Sequence, residues 1–217
     1  MERKQLIDLK LVGLLLVMVV IAGGVALLTV GGSSGSTAKH NQAVQAKFDA
    51  AGLLEPVREA PPLALHNYLG QPVNIAAYRG KAVLVTFLYT NCPDICPLIT
   101  SNLRVAQNLM GKATSSKAEV IAVSVDPRGD TPKAVAAFLA RHGMTGRMQY
   151  LIGSAHELGA VWKAWGVGSE RDAQQPQFVN HSGLLYGITA SGKRLTYYAA
   201  SFQPSEIAHD VPLLAAR

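Results

Sequence analysis

Cys92 and Cys96 stand four positions apart in Thr90-Asn91-Cys92-Pro93-Asp94-Ile95-Cys96-Pro97, and they are the chain's only cysteines. A pair this close closes too small a loop to staple a domain, because the chain entropy removed by a crosslink grows with loop length. The pair is therefore read as chemistry: sulfurs that react, or that hold a soft metal as thiolates. Each cysteine precedes a proline, which biases its backbone toward the extended region. A looped segment is expected, with a helix opening at Pro97 and Cys96 at or near its N-cap. Unsatisfied amides and the positive end of the helix dipole there lower a thiol pKa. A thioredoxin-type redox motif has two residues between its cysteines, whereas the three here give room to open the pair around an ion.

The candidate third ligand is His181, in Phe178-Val179-Asn180-His181-Ser182-Gly183. Two thiolates and an imidazole make a soft, low-coordinate set suited to cuprous copper, while a closed structural zinc site would take four ligands. Asp126, in Ser124-Val125-Asp126-Pro127, has two readings: a turn-forming residue ahead of the proline, or a group on the same edge that hydrogen-bonds to the site or ligates weakly. His40, His66, His142, His156 and His209 carry no such support. Trp162, Trp165 and Phe138 fall on expected helices and are assigned to core or interface.

These residues need a scaffold that gathers them. Residues 82–89 are apolar and β-branched, as a buried central strand should be, and the cysteine loop follows directly. A helix from Pro97 through Leu103, Ala106 and Leu109 should stop near Gly111, with a strand following at 120–125. Thr131 and Pro132 open a helix to about His142, 150–152 form a strand, and Ser154 caps a helix ending at Gly166. This alternation predicts a mostly parallel sheet with helices on its faces. Residues 184–189 and 194–198 then flank Ala190-Ser191-Gly192-Lys193 as a hairpin, and a helix over 204–214 closes the chain. A short strand is also expected at 73–75. Parallel βαβ followed by hairpin and helix resembles the thioredoxin arrangement. If the first hairpin strand runs antiparallel to 82–89, it begins at the edge where the cysteine-bearing strand ends, and His181 arrives beside the loop.

Ahead of this domain, residues 11–30 carry no charge, and at about 1.5 Å per helical residue they cover the ~30 Å core of a bilayer. Their length favours a retained anchor over a cleaved signal, although Ser36 and Ala38 are placed as a cleavage site would place them. Arg3, Lys4 and Lys10 precede the span, against Lys39 and Lys47 after it, which puts the N-terminus inside. Glu2 and Asp8 argue against a mitochondrial import signal, so a bacterial plasma membrane is expected. Residues 31–55, opening on Gly-Gly-Ser-Ser-Gly-Ser, are expected to be a flexible linker. The net charge of +6 is spread along the chain with no basic stripe interleaved with aromatics, which speaks for a solvated surface and against nucleic acid as a partner.

Three blocks resemble the Sco/SenC family of copper proteins that assist cytochrome c oxidase assembly. They are Gly80-Lys81 leading into Phe87-Leu88-Tyr89-Thr90-Asn91-Cys92-Pro93-Asp94-Ile95-Cys96-Pro97, then Ser124-Val125-Asp126-Pro127 with Asp130-Thr131, and His181-Ser182 before Tyr186. The likeness runs from about Leu63 to the C-terminus. It implies that Cys92, Cys96 and His181 are copper ligands, and that a tethered extracytoplasmic domain carries copper from a donor protein to the binuclear copper site of oxidase subunit II. Arg128-Gly129 departs from the acidic residue and Arg usual in the family. The expected organisation is a cytoplasmic N-terminus at 1–10, an anchor at 11–30, the linker, and a thioredoxin-like copper-binding domain at 56–217. Two other readings stand beside the carrier: a thiol–disulfide oxidoreductase acting through a Cys92 thiolate and a Cys92–Cys96 disulfide, and a thiol peroxidase.

Overall fold

The structure is a computed structural model that describes residues 47–175 and 178–217. Its centre is β4 (Ala82–Leu88), whose every residue is buried, as expected of a strand covered on both faces. Around it lies an eight-stranded mixed sheet. With β1 (Gly52–Glu59), β2 (Ala64–Asn67), β3 (Pro72–Asn74), β5 (Ala118–Ser124), β6 (Gln149–Ile152), β9 (Leu185–Ile188) and β10 (Lys193–Tyr198), the strand order is β1-β10-β9-β4-β5-β6-β2-β3. β4, β5 and β6 are parallel, and β9 runs antiparallel to β4, pairing Thr86 with Leu185. That pairing carries the functional consequence: the chain entering β9 comes in at the edge where β4 gives way to the cysteine loop.

Among the described residues, four α-helices flank the sheet: α1 (Ile95–Ser115), α2 (Pro132–Arg141), α3 (Ala155–Trp165) and α4 (Pro204–Ala215). Their signals are local. Thr131 accepts from the Ala134 amide ahead of Pro132, and Ser154 forms a reciprocal capping box with Glu157. Gly166 closes α3 at φ 69°, a left-handed position where a side chain would be strained. Ile99, Leu103 and Ala106 are fully buried on α1, Trp165 and Phe138 lie in the core, and Trp162 is half-buried with its indole N–H on the Ser124 carbonyl at 2.9 Å. The thioredoxin-like α/β arrangement is the one expected.

Several local expectations are corrected. α1 begins at Ile95 rather than Pro97, because the Asp94 side chain caps it by accepting from the Ile95 amide; Cys96 therefore lies inside the first turn. The helical run of α1 does break at Gly111, as expected, with φ 66° there, and a short second helical segment carries the element on to Ser115; Leu109 faces solvent. The linker expected to reach residue 55 overlaps folded chain: Phe48 is 5 % exposed, Ala50 is buried, and β1 pairs antiparallel with β10 from Gly52. β1 escapes a periodicity reading because Glu55-Pro56 interrupts it and a register shift separates Leu53 from Arg58, both tolerable on an edge strand.

Among the described residues no helix is long and apolar enough to cross a membrane. The span expected at 11–30 and most of the linker lie outside the described residues.

Candidate functional site

β4 delivers the chain to Tyr89, and the cysteine loop turns back at once, the Cys92 amide donating to the Tyr89 carbonyl at 3.3 Å. Cys92 is 7 % exposed and Cys96 is fully buried in the first turn of α1; both are free thiols. The Cys96 amide donates to the Cys92 sulfur at 3.3 Å. Hydrogen bonding from the Cys96 thiol, with the amides of residues 94–96, outweighs burial and brings the Cys92 thiol down to about 6. Cys96 moves the other way, pushed far up by its hydrogen bond to Cys92 and by burial. The expectation that Cys96 is the activated thiol is thus reversed: starting the helix two residues earlier turns its free amides onto Cys92. The pair consists of a Cys92 thiolate and a protonated, inner Cys96.

His181 ends β8 (Val179–His181), which pairs with β7 (Ser169–Arg171) in a small ribbon separate from the main sheet. The ribbon leans on the end of β5, with the Ser169 hydroxyl donating to the Val125 carbonyl at 3.0 Å. Behind His181, a Cβ on Gly183 would lie 3.7 Å from Ile95, so the histidine segment rests against the start of α1. The His181 ring meets Tyr89 edge-on at 5.7 Å between centroids, and its Nδ1 lies 3.1 Å from the Ser182 carbonyl. Burial holds its pKa below the usual value, which favours the neutral imidazole, the form that ligates a metal. The fold therefore brings Cys92, Cys96 and His181 to one edge, with Tyr89 between them. Their ligand atoms do not all lie within 4.8 Å of one another: among the described residues, the only such trio of His, Cys, Asp or Glu is Asp49, His209 and Asp210.

That second trio has a structural account. Asp210 is fully buried and accepts from the Tyr198 hydroxyl and the Asp49 amide, each at 2.9 Å, with His209 Nδ1 at 2.7 Å. It ties the chain entering β1 to α4.

Asp126 is 2 % exposed and accepts from the Arg128 amide at 3.2 Å, a side chain-to-backbone turn of the kind expected before Pro127. A Cβ on Gly129 would fall 2.4 Å from an Asp126 carboxylate oxygen and 3.2 Å from the Asn91 side chain, so this loop abuts the residue before Cys92. A further carboxylate, to which the sequence reading assigned no role, fastens the two loops. Asp130 is buried and accepts from the Thr90 amide at 2.8 Å, the Ser124 hydroxyl at 2.6 Å and the Tyr150 hydroxyl at 3.0 Å. Burial raises its pKa against the pull of these donors. In the sequence it stands out only as part of the second block of resemblance and by its place before the helix cap Thr131.

Comparison with known proteins bears on this geometry. The SCO1/SenC family pattern matches residues 53–216. The mitochondrial SCO1 homologue of Mus musculus is 26 % identical over 154 residues, covering 69 % of this chain and 54 % of that protein. The chain spans about half the length of the first curated relatives it matches. Among solved structures, Bradyrhizobium japonicum ScoI with copper bound superposes with a TM-score of 0.64 at 25 % identity, over 72 % of this chain and 99 % of that one. BsSco, a Sco family cytochrome c oxidase assembly protein in which a disulfide switch was identified, superposes with a TM-score of 0.61 at 26 % identity, over 75 % of this chain and 97 % of that one. With the family pattern spanning the fold from β1 to α4 and both cysteines inside it, the chain belongs to the SCO1/SenC family.

Proposed function

We propose that this protein is a membrane-anchored copper metallochaperone that holds one copper ion between Cys92, Cys96 and His181 and passes it to the binuclear copper site of cytochrome c oxidase subunit II. The observation that carries this reading is the convergence of a Cys92 thiolate and a neutral His181 on one sheet edge, on segments separate in sequence. Two soft sulfurs and an imidazole suit cuprous copper, and a three-ligand set leaves an open side through which an acceptor's thiolates can displace the protein's own. Copper here is cargo, so exchange matters as much as affinity. The copper-bound relative supports the ion, and the family membership supports the oxidase pathway. Asp126 is assigned a supporting role, ordering the loop that abuts Asn91. Residues 11–30 supply the anchor in a bacterial plasma membrane, with the domain outside the cytoplasm and a separate protein as copper donor.

Anaerobic titration of the protein with copper should give one ion per chain in the wild type and weakened binding in His181→Ala. Stoichiometric binding that survives joint replacement of Cys92 and Cys96 by Ser would overturn the assignment.

A second reading, thiol–disulfide exchange on the acceptor's cysteines, is favoured by the asymmetry of the thiols. A Cys92 thiolate attacks a partner disulfide and expels one partner thiolate. Cys96 then loses its proton, attacks the Cys92 sulfur and releases the second, so the partner gains two electrons as the Cys92–Cys96 disulfide forms. The disulfide switch of BsSco supports this. His181→Ala separates the roles, because exchange should survive it and copper affinity should not.

A further inference from the structure

We propose that the end of the domain at which β4, β5 and β6 begin is a docking surface for an anionic lipid bilayer, which turns the cysteine loop and His181 away from the membrane. The proposal rests on the reading of residues 11–30 as an anchor and adds how the anchored domain stands on the membrane.

Cations scattered in the sequence gather at this end because three parallel strands start there. Lys81 precedes β4, Lys117 precedes β5 with its carbonyl accepting from the Ala82 amide at 2.9 Å, and Arg147 comes just before β6. Lys193 joins them because β9 runs antiparallel to β4, pairing Ile188 with Val83, so the turn into β10 falls at the same end. Lys112 lies in the last turn of α1, its carbonyl accepting from the Ser116 amide at 3.0 Å, and α4 brings in Arg217, whose carbonyl accepts from the Ser191 amide at 2.8 Å. Arg147 is half-buried and the other five are exposed. Among the described residues no ion pair ties any of the six to a carboxylate. Of the acids at this end, Glu59 is taken by Arg79 at 2.7 Å and Glu119 is half-buried. The opposite end, where the cysteine loop lies, carries Asp94, Asp126 and Asp130 against Arg128 and Lys133, and so has no such excess.

The place where the chain enters selects the occupant. Phe48 packs under the Arg217 guanidinium at 5.2 Å, so the polypeptide arriving from residues 11–30 joins the domain at its cationic end, with only residues 31–46 and the exposed Lys47 between. A basic surface held this near a bilayer is drawn to anionic headgroups, with binding strengthened about fivefold for each Lys or Arg at the surface and the attraction fading beyond a Debye length of ~10 Å. The seven residues of β4, at about 3.3 Å each, then set the cysteine loop roughly 20 Å further from the headgroups, open to a partner in solution.

The test uses the metal-free full chain in bilayer nanodiscs of phosphatidylcholine, alone or with phosphatidylglycerol added, and with a trace of lipid carrying a nitroxide on its headgroup. Relaxation of amide resonances by the nitroxide reports which end meets the lipid. With phosphatidylglycerol the enhancement should be strongest at Lys81, Lys117 and Lys193 and weakest at Cys92 and Ile95, and about 1 M salt, where the Debye length is near 3 Å, should remove it. Joint replacement Lys112→Gln, Lys117→Gln and Lys193→Gln should lower the docked-to-free ratio about a hundredfold. Equal enhancement at both ends overturns the proposal, as does a pattern unchanged by phosphatidylglycerol, which would leave the basic end to a protein partner. If the triple variant does not fold, the lipid and salt series on wild type decides alone. The anchor is judged separately: a full chain that leaves the bilayer in about 1 M salt is not anchored, while its relaxation pattern at low salt still shows whether this end binds lipid.

Discussion

The Cys96 amide points at the Cys92 sulfur from 3.3 Å, so the second cysteine of the pair stabilises the charge on the first. The cap made by Asp94 creates this relationship by starting α1 at Ile95 and leaving the early amides turned toward residue 92. The two thiols consequently differ in ionisation and in access.

Alkylation should report that difference. With the Cys92 thiol down to about 6, its reaction with iodoacetamide should rise with pH through a midpoint near that value and level off by neutrality. Cys96, buried and protonated, should remain unmodified in the folded protein. Mass spectrometry of peptides from protein treated across a pH series would check both.

Removing the tie beneath the site should cost stability. Asp130→Ala leaves the Thr90 amide and the hydroxyls of Ser124 and Tyr150 without their acceptor, a loss on the order of 3 kcal/mol in urea denaturation. Asp130→Asn keeps an acceptor for Thr90 and should cost less. In both variants the amides of residues 90–92 should exchange faster than those of β6.

Gly129 has no room for a side chain. An added Cβ would stand 2.4 Å from the buried Asp126 carboxylate, so Gly129→Ala must displace that group and should cost about 1–3 kcal/mol. Chemical shifts of Asn91 should move with it, while those of the distant β1–β10 pair should not.

His209 makes a pH-dependent contribution. Its hydrogen bond to the buried Asp210, with the charge of Asp49 nearby, raises its pKa above the usual histidine value. The stabilisation is fully present below the unfolded value of about 6.5 and is lost as pH rises through the higher folded value. The melting temperature of wild type should exceed that of His209→Ala by most in mildly acidic buffer, with the gap closing as the buffer becomes alkaline.

Most of the scaffold was legible because its signals are local. The apolar run of β4, the Thr131-Pro132 and Ser154 caps and the Gly166 stop each act within a few residues, and each element formed there. β1, β7 and β8 were not legible. β1 is an edge strand interrupted by Pro56, and the other two are short segments whose partners come only from tertiary packing. The role of Asp130 was not legible for the same reason: two of the three donors it gathers come from β5 and β6, and the third from the loop after β4.

By itself, the sequence determined which atoms are available for chemistry, two closely spaced sulfurs and one remote imidazole, and which strand and helix carry the sulfurs. Residue types and short-range backbone preferences are enough for that. Only the folded chain decided which sulfur is charged, where His181 stands relative to it, and that Tyr89 lies between them. Those outcomes depend on the direction of individual amides and on contacts between segments distant along the chain, quantities that exist only once the strands have paired.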